Sequence, residues 1–393
     1  MTRIDLTHLP LADNHCHGIY HTQGPMDLPS WRQHFTESRD PAMRGTHVAT
    51  TLFYRRLLHA MAEFFACEAE EDAILTARQK HDDRSLIRRY LQAANFEVLF
   101  LDKGYPAPDS VLSDAELAEL AGCRVAPLLR VELLMQDLIA RYATLSNVIE
   151  ALKAALHDVR SQGYVALKSI VAYRTGLEIR AWNNDDVDAA FVEARREVQT
   201  LGSTRLMQKP LLDTLLHVTF AEAARQELPI QFHTGYGDTD ADMLLANPLH
   251  LRAVLECKEY RSMPIILLHA SYPYTRQAAY LTAVYEQAYL DLSYGIPFLG
   301  YNEMLQFTRA AFDVAPYSKL LYSSDGVGVP EIHWLSARDG RSILGEVLGE
   351  RVANRELEVT EAETVGLAVL RDNALRLYTI PEKQEGCSKD ELP

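Results

Sequence analysis

The sequence predicts an α/β protein, a (β/α)8 TIM barrel with a helical insertion after strand 1 and extra helices between strands 4 and 5. Three observations predict it. Short apolar runs of four to eight residues recur along the chain, each usually entered after Gly, Pro or a polar turn, and eight of them read as strands. A segment of helical periodicity follows each run, and that alternation means parallel strands joined by crossover helices. The chain has 393 residues, whereas a barrel of this kind typically needs about 250, so roughly 140 remain for additions.

The first strand is expected over Leu9–His15. Between it and the second, Phe96–Leu101, lies Asp27–Ala94, rich in Arg, Glu, Ala and Leu, which reads as several helices (27–94). Strands three and four follow at Arg124–Val131 and Tyr164–Val171. Two helices, Asp185–Leu201 and Pro210–Glu227, then stand where a barrel needs one. Strands five to eight are placed at Pro229–His233, Pro264–His269, Tyr289–Leu292 and Leu320–Ser324. Both additions begin at strand C-termini, the face on which barrel active sites lie, so a lid or substrate-shaping role is expected of them. One domain accounts for 1–380, and the polar segment 381–393, without apolar periodicity, is expected to fray.

Composition narrows the function. Apolar residues make up 48% and charged residues 24%, with no Gly or Pro excess, as in a globular chain. The net charge of −15 disfavours a nucleic-acid partner, whose backbone must be neutralised by Lys and Arg. No run of 18 or more apolar residues occurs and Met1–Pro10 carries no apolar core, so neither a membrane span nor a secretory signal is expected, and a cytoplasmic location is. The five cysteines (Cys16, Cys67, Cys123, Cys257, Cys387) are scattered without a CxxC pair, which argues against a disulfide framework or a cysteine zinc site. Lys389-Asp390-Glu391-Leu392 spells a retention signal, but Pro393 follows it. No GxxxxGK[ST], GxGxxG or GxSxG motif occurs, so neither a phosphate cradle nor a serine nucleophile is supported.

The chemistry gathers at strand ends. The first strand closes on Asp13-Asn14-His15-Cys16-His17-Gly18, and alternate strand residues face one side, so His15 and His17 can project together and share a metal ion. The fifth run ends at His233, the sixth at His269, and Asp325 follows the eighth. Each is a metal-binding or acid–base side chain placed just after an apolar run, at the same end of the barrel.

This joint arrangement resembles the amidohydrolase superfamily. The resemblance narrows at Leu167-Lys168-Ser169-Ile170-Val171-Ala172-Tyr173-Arg174-Thr175-Gly176-Leu177, His233-Thr234-Gly235-Tyr236-Gly237-Asp238, Asn247-Pro248-Leu249-His250-Leu251 and Leu268-His269-Ala270-Ser271-Tyr272-Pro273. These segments look like the amidohydrolase-type half of the fungal FluG and plant nodulin/glutamine-synthetase-like fusion proteins, over about residues 5–380, with no synthetase half following here. The resemblance implies one Zn2+ held by His15, His17, His233 and Asp325, with Mn2+ or Fe2+ as other candidates. Asp325 would accept a proton from the attacking water and pass it to the leaving amine, while His269 donates to the oxyanion. Several relatives carry at the position of Lys168 a lysine carboxylated by CO2. Lys168 so modified would bridge two ions, with His233 and His269 on the second. The other reading of Lys168 is an ammonium that pairs with Asp325 or anchors a substrate carboxylate.

Arg174 and Arg130, at strand ends, can each grip a carboxylate or form an ordinary rim salt bridge. Tyr173 accompanies Arg174, and Tyr272 is a candidate to close over substrate. Asn247-Pro248 reads as a helix start. His21, His47, His250 and His333 have no compelling partner and are taken as structural or solvated. The function expected is metal-dependent hydrolysis of an amide or other C–N bond in a small, carboxylate-bearing substrate. Fusion to a synthetase in the relatives points by analogy to a γ-glutamyl amide. Two alternatives stand beside it: a metal-dependent decarboxylase or lyase using the same ligands, and a catalytically silent barrel that partners a synthetase. Self-association into a homo-oligomer is expected from the resemblance.

Overall fold

Proline has no amide hydrogen to give a ladder, and the first strand starts after Pro10, at Leu11, two residues later than expected, and runs on to His17. The computed structural model describes residues 3–21 and 26–380; the expected tail 381–393 lies outside them. Eight strands, β1 (Leu11–His17), β2 (Phe96–Asp102), β3 (Arg124–Arg130), β4 (Ala166–Ser169), β5 (Ile230–Phe232), β6 (Ile265–Leu267), β7 (Ala288–Ser293) and β8 (Leu320–Ser323), follow one another around one sheet in chain order, each parallel to the next. The seam between β8 and β1 is closed by Ser324 N donating to Asp13 Oδ1 (2.8 Å), Asp325 N to the His15 carbonyl (3.0 Å) and His17 N to the Gly326 carbonyl (2.8 Å). The metal-type residues of β1 and the aspartate after β8 therefore meet across the closure itself.

The barrel interior is filled from alternate positions. Ala12, Val98, Phe100, Ala126, Leu128, Ala166, Ile266, Leu268 and Leu321 point inward and pack with Ala374, Leu375 and Tyr378 of the C-terminal segment. Tyr378 packs its ring against Phe100, with centroids 4.2 Å apart, and anchors a buried polar floor. Its hydroxyl donates to Asn14 Oδ1 (2.6 Å) and accepts from Gln231 Nε2 (2.7 Å), and Asn14 Nδ2 donates to Asp291 Oδ2 (3.0 Å). Such pairing offsets the cost of taking these polar atoms out of water.

The region 27–94 is helical, with helices at Leu28–Arg32, Leu52–Phe65, Glu71–Arg78 and Asp83–Ala94 and short irregular turns between the first two. Thr51 starts the 14-residue helix by accepting the Tyr54 amide on its side chain, and Ala66, in the left-handed region (φ 53°), ends it. One face of that helix (Phe53, Tyr54, Leu57, Leu58, Met61) joins Trp31, Phe35 and Ile74 in a second apolar core. This core rests on Ile332, Trp334 and Leu335 of the helix Pro330–Ala353 and on Val329 just before it. Ion pairs Arg78–Glu331 (2.8 Å) and Arg56–Asp339 (2.9 Å) fasten the same contact. The two helices between β4 and β5 lie at Asn184–Leu201 and Lys209–Arg225. Asn247 accepts the Leu249 amide (3.0 Å) and opens a 3-10 turn at Pro248–Leu251 that continues into Arg252–Glu256. Among the described residues no helix is long and apolar enough to cross a membrane.

Candidate active site

At the C-terminal mouth of the barrel, β1 delivers His15, fully buried, and His17, at the rim, with ring centroids 4.9 Å apart. A register irregularity in β1 between Asp13 and Cys16 accompanies this convergence. Cys16 points away, its Sγ toward the Phe100 carbonyl. Asp325 sits in the left-handed region (φ 50°). Its Oδ1 lies 3.6 Å from His15 Nε2 and 3.4 Å from His17 Nε2, and its Oδ2 lies 3.1 Å from His269 Nδ1. Tyr236 donates its hydroxyl to Oδ2 at 2.7 Å. Burial alone would push the Asp325 carboxyl up, but the His269 charge and hydrogen bonds from His17 and His269 outweigh it and hold the group well below the ordinary range.

His269, Ala270 and Ser271 all have positive φ (62°, 51° and 48°), a costly conformation for residues with a Cβ. Asp291 stabilises it by accepting the His269 amide on Oδ1 (2.9 Å). Gly235 fits because a Cβ there would run into the backbone of Ser271 and Tyr272. The backbone is thus bent to aim the His269 ring at Asp325.

His15, His269 and Asp325 offer ligand atoms within 4.8 Å of one another, and so do His15, His17 and Asp102. His15 Nδ1 and His269 Nε2 are buried without a hydrogen-bond partner. Burial drives the His15 and His233 imidazoles well below their ordinary pKa, which keeps their nitrogen lone pairs available. This donor set, imidazoles with a carboxylate, fits a divalent cation such as Zn2+.

His233 lies outside both groups. Its Nε2 is 2.6 Å from the Tyr236 carbonyl, and its ring packs 4.4 Å from that of His269. Lys168, fully enclosed at the end of β4, places Nζ 3.3 Å from His15 Nε2. Burial lowers its pKa to about 8.

A cavity of about 820 Å3 opens over this cluster, walled by the barrel mouth, by Met26 and by insertion residues between Ser30 and Arg44. Tyr173, Arg174 and Arg130 line it, and Tyr272 does not. Arg130 is engaged by Asp102 (Nη2–Oδ2 2.6 Å). Burial would raise the Asp102 carboxyl, but Arg130, His17 and Lys168 hold it down to about 2. Arg174 makes no ion pair among the described residues, and its Nε is buried without a partner. Tyr272 instead packs near Phe298.

Four contributors were not singled out from sequence. Asp102 ends β2 exactly as His233 and His269 follow theirs, and reading that run one residue further would have found it. Tyr236 stands three residues after His233. Glu37 and His34 come from the insertion, where no strand-end rule applies. Burial pushes His34 down to about 4, aided by Arg78 and Arg44. The unfolded chain protonates this imidazole near 6.5 and the folded one resists until about 4, so stability is complete above 6.5 and is lost as pH falls through that window. His34→Gln should flatten the decline in unfolding free energy, measured by urea titration, between pH 7 and 4 by roughly 3 kcal/mol.

Comparison with known proteins follows from this geometry. The family model described as Amidohydrolase matches residues 150–380. The chain belongs to the amidohydrolase family. It is 28% identical to Protein fluG of Emericella nidulans over 95% of its length, and it spans 46% of that protein. Among solved structures it resembles one from Lactobacillus casei ATCC 334 described as a candidate metal-dependent hydrolase, at TM-score 0.84 and 28% identity, covering 96% of this chain and 98% of that one. Uronate isomerase of Thermotoga maritima shares the fold at TM-score 0.66 and 15% identity, covering 95% of each chain. The amidohydrolase family is metal-dependent and acts on small molecules.

Proposed function

We propose that this chain is a metal-dependent hydrolase that cleaves an amide or other C–N bond in a small, carboxylate-bearing substrate. The observation that carries the reading is one cavity lined by His17, His269 and Asp325, with His15 buried within ligand reach of His269 and Asp325, and with an unpaired guanidinium, Arg174, on its wall. His15, His17 and Asp325 would hold the ion, with His233 joining once its ring gives up the Tyr236 carbonyl. A bound Zn2+ supplies Lewis acidity toward a carbonyl and water of lowered pKa.

The chain's own groups do the rest. Arg174 takes the substrate carboxylate, because this half-buried side chain makes no ion pair among the described residues and its buried Nε has no partner, so its fork is open to an anion. Tyr236 fixes the Asp325 carboxylate by its 2.7 Å hydrogen bond. Asp325 receives the proton of the attacking water and hands it to the departing nitrogen. His269, aimed by the left-handed bend, donates to the developing oxyanion.

Lys168 permits a second reading, favoured by its burial beside His15: carboxylated by CO2, it would bridge two ions. Metal quantification on protein purified without chelator, with intact-mass measurement, is expected to give one ion per chain and an unmodified Lys168. Two ions with the added mass of CO2 would establish the bridge instead. A screen of amides of carboxylic acids should detect released amine, with Arg174→Met raising KM at least about tenfold, the loss of one charge-assisted pair. Released CO2 without amine would mark a lyase.

A further inference from the structure

Past the end of β4 the backbone loses its sheet partners. β3 pairs with β4 no further than Arg130 with Lys168, and β5 no further than Phe232 with Ser169. Ile170 and Val171, the next two residues, are buried, and a buried amide without an acceptor is costly. Their amides end on side chains instead. Ile170 N donates to Glu132 Oε1 (3.0 Å), Ser169 Oγ donates to the same oxygen (2.6 Å), and Val171 N donates to Ser169 Oγ (3.3 Å). Glu132 comes from the first turn of the helix Val131–Arg141, which follows β3. It is fully buried and does not line the cavity. Because side chains alternate along a strand, Lys168 turns into the cavity while Ser169 turns outward to meet this carboxylate.

A compact turn follows. The Val171 carbonyl accepts the amides of Arg174, Thr175 and Gly176 (2.9, 3.0 and 3.0 Å), and the Ile170 carbonyl accepts that of Tyr173 (2.9 Å). Ile170, Tyr173 and Arg174 all line the cavity. The segment that reaches the substrate therefore hangs on one carboxylate oxygen behind the barrel wall. The other oxygen, Oε2, is buried without a hydrogen-bond partner. An enclosed carboxyl with one oxygen unmatched is a poor choice for packing alone. Its charge also bears on the wall. Burial lowers the Arg174 guanidinium, Arg205 adds to that, and the Glu132 carboxylate counters both.

We propose that Glu132 is a positioning residue for substrate binding: it holds Ser169 and the Ile170 amide from behind β4 and so sets the turn that presents Arg174 to the substrate carboxylate. This rests on the carboxylate-binding role of Arg174 given above and says what fixes that role. His15, His17, His269 and Asp325 leave β1, β6 and β8, none of which pairs with β4, so the metal cluster is held independently of this turn.

Glu132→Ala removes the anchor, whereas Glu132→Gln keeps an amide oxygen for both donors. Hydrogen exchange of the metal-loaded full chain, read by mass spectrometry on peptides spanning 169–177, should quicken at least about tenfold in Glu132→Ala and stay within about threefold of the unsubstituted protein in Glu132→Gln. Calorimetric titration with glutarate and 3-phenylpropionate should show Glu132→Ala weakening at least one of them about tenfold, with Glu132→Gln near the original value. Acetohydroxamate, which chelates the metal ion, should bind both variants as before. In an Arg174→Met background Glu132→Ala should weaken carboxylate binding no further, because both changes disable the same contact. A further loss in that background, carboxylate binding untouched by Glu132→Ala, or weakened acetohydroxamate binding makes Glu132 an ordinary structural residue and overturns the proposal, while the role of Arg174 stands. If Arg174→Met leaves both carboxylates bound as before, or the unsubstituted protein binds neither, the role of Arg174 falls and this proposal with it. Should Glu132→Ala not fold, Ser169→Ala, which removes only the hydroxyl link, replaces it in each measurement.

Discussion

Asp325→Asn is expected to lower kcat by about 10²–10⁴-fold, the range for loss of a positioned proton-transfer group. Asparagine has nearly the same volume and can still accept the Tyr236 hydroxyl through its amide oxygen. It cannot carry the negative charge that three histidines surround at 3.1–3.6 Å, nor take a proton from water. Steady-state kinetics should be read beside circular dichroism and metal content. Those controls separate a lost proton relay from a lost ion or a lost fold. Undiminished turnover with full metal occupancy would remove Asp325 from the chemistry.

The second large effect is on stability. Arg130→Met is expected to cost about 3–5 kcal/mol, because it leaves Asp102 as a buried charge without its partner. Asp102 is fully enclosed at the end of β2, and Arg130 holds it through both Nε and Nη2. Replacing the pair together, Arg130→Met with Asp102→Leu, should recover part of the loss, since an apolar pair avoids the desolvation of both ions. Urea unfolding measures both variants. If Arg130→Met keeps wild-type stability and raises KM instead, Arg130 contacts substrate and the ion pair with Asp102 is incidental.

Much of this architecture is legible in the sequence because barrel strands are local objects. Each is a short apolar run, and the residue that ends it lies on the catalytic face, which is why His15, His17, His269 and Asp325 can be placed at one mouth from their positions alone. The ends of the runs were less secure. β1 lies at Leu11–His17 rather than Leu9–His15 because Pro10 cannot join the ladder, and Asp102 stands one residue beyond the apolar run that ends at Leu101. What periodicity cannot convey is which charges meet across the fold. Arg130 and Arg174 look alike as arginines at strand ends, and only the neighbouring Asp102 separates an occupied guanidinium from a free one. Glu37 is hidden for a related reason. The insertion folds around its own aromatic core, and nothing in its helical pattern tells which acid is turned toward a cavity built by other segments.

The polar floor of the barrel sets an order on assembly. Tyr378 reaches Asn14 across 364 positions of chain, and Asn14 is the immediate neighbour of His15. During synthesis the first strand emerges early, yet its buried amide has no hydroxyl to meet until almost the whole described chain has followed. Contacts of such long sequence separation form late, after the loop entropy between them has been overcome. A nascent chain that stalls short of residue 378 therefore carries every residue of the proposed metal cluster on an unfinished base. The proposed site in this barrel depends on the segment that carries Tyr378 as much as on the ligands themselves.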